Sequence, residues 1–146
     1  MIVKSILVIV NSMIFFLLGG LHFYWVFGGK RFLENAVPAP FVDRFKNLST
    51  KKIYNFVTAL VGIGLWAFGV MTFLNFPTLA EFEYATTLKL AMRVVAVLFL
   101  VRTIGEFRYV GLFKSEKEGK FADADSKIYV PLCFYLGVSL LLITIS

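Results

Sequence analysis

The side chains that can do chemistry in this chain are few, and most of them stand near the ends of long apolar runs. His22 is the only histidine. At helical spacing it shares a face with Asn11 and Trp25, and this face is predicted to turn inward because it carries polar groups. An imidazole there can carry a proton or bind a ligand. The plainer alternative is a histidine hydrogen-bonded between helices, and the sequence leaves both open.

A second group of charged residues follows another apolar run, in the segment RTIGEFR that begins at Arg102. Arg102 and Glu106 are one helical turn apart, so they can pair. The guanidinium groups of Arg102 and Arg108 suit a phosphate or a carboxylate, which each can hold with two donors. In the alternative interpretation, Arg102 only extends toward lipid headgroups.

Asp125 and Tyr129 stand where the last apolar run begins. An aspartate at this place is often only the N-cap of the following helix. Trp25 suits the aromatic belt of a membrane interface. Considered jointly, these groups fall at one end of three predicted helices, which indicates a polar, aromatic-lined cavity that binds a ligand. The predicted ligand-binding residues are His22, Trp25, Arg102, Glu106, Arg108, Asp125 and Tyr129.

We expect neither a metal nor another cofactor from this set of residues. Cys133 is the only cysteine, which excludes an intramolecular disulfide and a multi-cysteine metal site. The chain also has no nucleotide-binding loop and no recognised nucleophile motif. Catalysis is therefore left without a clear candidate beyond His22.

The composition determines which elements must position these groups. The 146 residues are 59% hydrophobic and have a mean hydropathy of +0.81. A soluble domain of this size has too little interior to bury so many apolar side chains. The net charge of +6 does not indicate a nucleic-acid partner, because the basic residues cluster between apolar runs. Anionic lipid headgroups are the expected partner of such charges.

Four apolar runs are each long enough to cross a membrane, which takes roughly 20 residues of helix. They cover residues 6–27, 53–76, 85–104 and 128–145. We therefore predict an all-α membrane protein, in which residues 1–146 form a single four-helix transmembrane bundle. Gly28 is expected to close the first helix. The small residues Thr58, Gly62, Gly69 and Thr72 are expected to pack the second helix against a neighbour.

The distribution of lysine and arginine predicts the orientation. Segment 28–52 holds six of them and segment 105–127 holds five, against Lys4 and Lys89 on the other side. By the positive-inside rule both long loops lie in the cytoplasm, and both termini lie on the extracytoplasmic side. Segment 114–127 mixes acids and bases closely and is interpreted as a solvated loop.

Three segments resemble the signature blocks of a known bacterial family. They are HFYWVFGG at residues 22–29, RTIGEFRYVGLFK at residues 102–114 and FADADSKIYVPLC at residues 121–133. The chain resembles the domain-of-unknown-function family numbered 3995, whose members are small four-helix membrane proteins. The resemblance implies a location in the bacterial cytoplasmic membrane and implies no activity or catalytic residue.

Three function classes remain open on these residues. The first is a binding protein for a lipid-like molecule or a membrane partner, with Arg102 and Arg108 at an anionic head and Trp25 and Tyr129 at its apolar part. The second is a membrane-embedded enzyme, with His22 as acid or base oriented by Glu106 or Asp125. The third is a transporter or channel, which would need a homo-oligomer because one four-helix unit offers little room for a pore. Asn11 and Arg93, which stand inside apolar runs, would then line its path.

Overall fold

A computed structural model describes residues 2–38, 40, 48–76 and 85–145 of the chain. This part of the chain is helical and contains no strand. In chain order the elements are α1 (Ile2–Val26), α2 (Leu33–Ala36), α3 (Leu48–Phe73), α4 (Ala85–Ile104), α5 (Lys120–Ala124), a π-helical turn (Asp125–Tyr129) and α6 (Val130–Ile145). The last three run on as one long helix, Lys120–Ile145.

The helices follow the predicted apolar runs but extend beyond most of them. α4 coincides with the run at residues 85–104. α1, α3 and the last long helix begin earlier than predicted, at Ile2, Leu48 and Lys120. A helix can continue through polar residues, because its backbone hydrogen bonds do not depend on side-chain hydropathy. The hydropathy pattern therefore located the apolar part of each helix and missed its polar end.

α1 ends where the glycine pattern predicted. Gly28 has a φ of +93°, a left-handed conformation that favours glycine. The Gly29 N–H donates to the Tyr24 carbonyl at 2.9 Å, and the Gly28 N–H donates to the Trp25 carbonyl at 3.0 Å. These two bonds satisfy carbonyls that the helix leaves unpaired at its end. The predicted cap is confirmed.

The long helices pack as two antiparallel pairs, α1 with α3 and α4 with α6. Small residues allow the close approach within each pair. A Cβ atom on Gly19 of α1 would lie 3.0 Å from the Gly62 carbonyl oxygen of α3 and 2.2 Å from a Trp66 ring carbon. A Cβ atom on Gly137 of α6 would lie 2.6 Å from Leu100 of α4. The predicted packing face of α3 is confirmed, since all four of its small residues are buried.

The two pairs share one apolar core, to which all four long helices contribute. Its buried members are Val8, Phe15, Leu65, Met92, Val95, Ala96, Leu136, Leu140 and Ile143. Large apolar side chains also cover much of the outer surface. Such a surface is unfavourable in water, but it is the normal exterior of a helix in lipid.

Among the described residues, three helices are long and apolar enough to cross a membrane: Ile2–Val26, Thr50–Phe73 and Lys120–Ile145. α4 differs from them because it carries Lys89, Arg93 and Arg102 among its apolar residues. The three apolar helices indicate a membrane protein.

Candidate functional site

A buried carboxylate joins the last long helix to α4 and to the loop between them. Asp125 is 0% exposed. Its Oδ1 accepts a hydrogen bond from Arg102 Nη2 at 2.8 Å. Its Oδ2 accepts one from Lys114 Nζ and one from the Gly111 N–H, both at 2.9 Å. A buried charge requires such partners, because it has lost its water. We call Arg102, Gly111, Lys114 and Asp125 the Asp125 network.

The loop at residues 105–116 folds back on itself to bring two donors to Asp125. Gly105 and Gly111 both have a positive φ, at +89° and +95°. A Cβ atom on Gly105 would lie 1.8 Å from the Val110 carbonyl oxygen, and one on Gly111 would lie 2.3 Å from that of Ile104. Only glycine fits at either position. Their close contact aims the Gly111 N–H and the Lys114 side chain at the carboxylate.

The Asp125 network carries more positive than negative charge. Lys114 is only 4% exposed, and its ammonium group also donates to Ser126 Oγ at 2.6 Å. Two cations therefore share the single carboxylate of Asp125. In the part of the chain that the structure describes, Arg102 Nη1 is buried without a hydrogen-bond partner. The network thus has one positive charge in excess and donor capacity that the protein does not use.

Asp125 opens a π-helical turn, in which the Val130 N–H donates to the Asp125 carbonyl. Pro131 follows this turn, and a proline ring inside a regular α-helix clashes with the carbonyl four residues earlier. The π-helical turn thus lies directly before the proline. Turns of this kind are frequent at functional sites because they displace the side chains on one face of a helix.

A cavity of about 530 Å³ lies between the two helix pairs, next to the Asp125 network. Most of its wall is apolar, and the polar groups in it are few, as in many ligand pockets. Its lining residues are Leu18, Leu21, His22, Trp25, Ala36, Val61, Gly64, Leu65, Phe68, Leu98, Phe99, Arg102, Phe121, Tyr129, Leu132 and Cys133. We call this space the interhelical cavity.

His22 and Trp25 present defined groups to the interhelical cavity. His22 Nδ1 lies 2.8 Å from the Leu18 carbonyl oxygen. Because a carbonyl can only accept, Nδ1 carries the hydrogen, and Nε2 has no partner among the residues that the structure describes. Trp25 donates its indole N–H to the Arg31 carbonyl at 2.9 Å, and its ring lies 5.1 Å from the imidazole. His22 therefore keeps a free ring nitrogen, while Trp25 offers only its ring.

The structure brings four of the seven predicted site residues to the interhelical cavity: His22, Trp25, Arg102 and Tyr129. Asp125 does not line this cavity, but its partner Arg102 does. The N-cap interpretation of Asp125 is wrong, because the helix begins at Lys120 and its cap position is Gly119. That these residues bind a ligand stays a prediction.

Glu106 and Arg108 lie in the loop and do not line the interhelical cavity. The expected pairing of Arg102 with Glu106 is wrong, since Arg102 bonds to Asp125. α4 ends at Ile104, so Glu106 is not on its helical face. Instead, Glu106 Oε1 accepts a hydrogen bond from the Tyr109 N–H at 3.0 Å. The Arg108 guanidinium lies 5.0 Å from the centre of the Tyr109 ring.

The sequence interpretation missed two parts of the site. The mixed charges of segment 114–127 predict a solvated loop, yet Lys114 is buried against Asp125. The two glycines that bracket residues 105–111 were the available signal for a tight loop. The α3 wall of the cavity was also missed, because Val61, Leu65 and Phe68 are apolar and give no chemical signal.

At the far end of the helices, Asn11 and Arg93 each donate a hydrogen bond to a residue of α6. Asn11 Nδ2 donates to Ser139 Oγ at 2.8 Å. Arg93 Nη2 donates to the Thr144 carbonyl at 3.3 Å. Both contacts join α6 to another helix, which suits a packing role.

A small contact closes the loop end of the interhelical cavity. α2 packs against α5, and Lys120 donates to Glu34 on the surface. The hydrogen bond and charge of Lys120 hold the pKa of Glu34 below its ordinary value. A second pocket, of about 520 Å³, is lined by Glu34 and Lys120 and shares Phe121 with the interhelical cavity. Phe121 is buried and separates the two spaces.

Comparisons with known proteins identify a family but no activity. No curated protein and no solved structure matches the chain. A family model described as a protein of unknown function (DUF3995) matches residues 15–140. The match includes every residue of the Asp125 network and of the interhelical cavity. The resemblance inferred from the three sequence blocks is confirmed, and the chain belongs to this family.

Proposed function

We propose that the chain is a four-helix transmembrane bundle of the bacterial cytoplasmic membrane, with both termini on the extracytoplasmic side. The 20 residues of α4 make a helix of about 30 Å, the thickness of the hydrocarbon layer. Lys89 and Arg93 lie in its first half and Arg102 in its last turn, so that each can extend toward a membrane surface. The excess of basic residues in segments 28–52 and 105–127 supports the orientation.

Within this bundle, we propose that the interhelical cavity binds an anionic lipid-like molecule. One observation carries the proposal: an apolar cavity of about 530 Å³ has at its edge the Arg102 side chain, which is 33% exposed and belongs to a network with one positive charge in excess. An amphiphile satisfies both features, with its anionic head on Arg102 and its apolar part among the aromatic and aliphatic side chains. The excess positive charge of the Asp125 network favours an anion over a neutral head.

Binding of phosphatidylglycerol to the purified protein tests this proposal. Arg102→Gln is the informative variant, because Asp125 keeps Lys114 and Gly111 and is not left unpaired. Losing one charged hydrogen bond should weaken binding about 10- to 100-fold. Arg108→Gln is the matched control, since it removes the same charge outside the cavity.

The readouts are native mass spectrometry and the rise of the thermal unfolding midpoint on adding lipid. Phosphatidylglycerol should outcompete phosphatidylcholine with the same chains in wild type and in Arg108→Gln, but not in Arg102→Gln. Equal binding by all three proteins would refute a role for Arg102, and absence of lipid binding would refute the proposal.

A membrane-embedded enzyme is a second candidate, which one observation favours. His22 Nε2 is left free by the bond of Nδ1 to Leu18, so a proton can be exchanged there with a cavity occupant. The orienting group is that carbonyl rather than Glu106 or Asp125. His22→Asn keeps a donor for the Leu18 carbonyl and removes Nε2. If the protein is an enzyme, cells that carry this variant should behave like cells that lack the protein. If it only binds lipid, they should behave like wild-type cells.

A further inference from the structure

The interhelical cavity is open on one side, and the exposure of its lining residues shows which side. Val61 of α3 is 44% exposed and Leu98 of α4 is 56% exposed. The lining residues Trp25, Leu65, Phe121 and Cys133 are buried. α3 and α4 belong to different helix pairs and make few contacts with each other. The opening of the cavity therefore lies between α3 and α4.

This opening lies beside interior residues of α3 and α4 rather than at a loop. Val61 lies halfway along α3, which by length and composition can cross a membrane, and Leu98 lies well inside α4. In the proposed bundle, both side chains would contact hydrocarbon. The loop end, in contrast, is covered by the packing of α2 on α5 and by Phe121. In the proposed bundle, the opening between α3 and α4 therefore gives a route from the bilayer into the cavity.

We propose that the alkyl chain of a bilayer lipid enters the cavity sideways between α3 and α4, while its anionic head stays at Arg102. This inference rests on the proposed function and adds the source of the ligand and its route. Arg102 lies one helical turn beyond Leu98 on the same face of α4, so a head and its chain can occupy the two levels. The occupant is thus a lipid that is already dissolved in the membrane.

Gly64 provides the space for the chain. It lines the cavity one turn from Val61, and a Cβ atom built on it meets no other atom within 4 Å. Together with Leu65 and Phe68 it forms one continuous face of α3 along the cavity. A larger side chain at Gly64 should fill this space without a clash. Gly20 on α1 is the matched control, because its Cβ position is equally open but does not line the cavity.

Tryptophan quenching by brominated lipids tests the route. Trp25 is only 7% exposed but lines the cavity, so a brominated chain inside the cavity comes closer to it than a chain outside the protein. Trp66→Phe removes the second tryptophan, which is exposed on α3. This variant is placed in vesicles of phosphatidylcholine and phosphatidylglycerol, with bromine near the carboxyl end of the chains of one lipid at a time.

Brominated phosphatidylglycerol should quench Trp25, and brominated phosphatidylcholine should quench it much less. Adding Gly64→Leu should abolish most of the quenching, whereas Gly20→Leu should leave it unchanged. Equal quenching in both glycine variants, or none from either lipid, would overturn the lateral route.

A separate measurement distinguishes this failure from failure of the proposed function. Dodecyl phosphate, added to the protein in detergent, probes the cavity without a bilayer. If it stabilises wild type but not Arg102→Gln while Trp25 stays unquenched in vesicles, the cavity binds anionic amphiphiles and only the route is wrong. If it stabilises neither protein and Trp25 stays unquenched, both proposals fall.

Discussion

Replacing Asp125 by asparagine should destabilise the fold strongly. The carboxylate is fully buried and accepts three hydrogen bonds, two of them from cations. An asparagine has only one oxygen, so its NH₂ group would take the place of one carboxylate oxygen. This group would then face either the Arg102 donor or the pair of donors from Lys114 and Gly111. Arg102 is partly exposed and can turn to solvent, but the Lys114 side chain is 3% exposed and would keep its charge without a counterion. Breaking a buried ion pair in this way costs about 3–5 kcal/mol.

The measurement is the free energy of unfolding by sodium dodecyl sulfate in mixed micelles, followed by the fluorescence of the two tryptophans. Lys114→Met should cost less than Asp125→Asn, because Asp125 then keeps Arg102 and the Gly111 N–H. The double variant should be more stable than Asp125→Asn alone, since it removes the unpaired ammonium. Glu34→Gln, which breaks an exposed ion pair, is the control and should have little effect. The role given to Asp125 would be refuted if Asp125→Asn were as stable as this control. It would also be refuted if the effects of Asp125→Asn and Lys114→Met were strictly additive.

Three further outcomes are expected. Gly111→Ala should destabilise the protein more than Gly119→Ala in the same unfolding assay. Both residues have a positive φ, but only at Gly111 would the added Cβ meet backbone atoms, at 2.3 Å and 2.5 Å. Equal losses of stability would contradict the tight-loop geometry. Alkylation of Cys133, the only cysteine and part of the cavity wall, should become slower when phosphatidylglycerol is added, and unchanged rates would argue against occupancy of the cavity. Gly137→Leu should disrupt the α4–α6 pair, since its Cβ would already lie 2.6 Å from Leu100; a wild-type unfolding free energy would contradict the packing described.

Much of the helical framework could be predicted from the sequence, because apolar runs and small residues determine it directly. Gly28 ended α1, and the small residues of α3 are buried, as their types and spacing indicated. The polar ends of α3 and of the last helix could not be located, because hydropathy reports on the surrounding solvent and not on backbone hydrogen bonding.

The candidate site was predictable only where polar side chains stood out against apolar neighbours. His22, Trp25, Arg102 and Tyr129 do line one cavity. The partner of Arg102 was not predictable, because helical spacing favoured Glu106. In the structure α4 ends before Glu106, and the following loop folds so that Arg102 pairs with Asp125. That choice depends on contacts between residues distant in sequence, which no local pattern contains.

An experimental structure of the protein purified with its own membrane lipids would test the central claim most directly. We expect elongated density in the interhelical cavity, with a head group within hydrogen-bond distance of Arg102 and a chain that extends past Gly64 between α3 and α4. A cavity that is closed by its own side chains, or that contains only water, would contradict the proposal that it binds an anionic lipid.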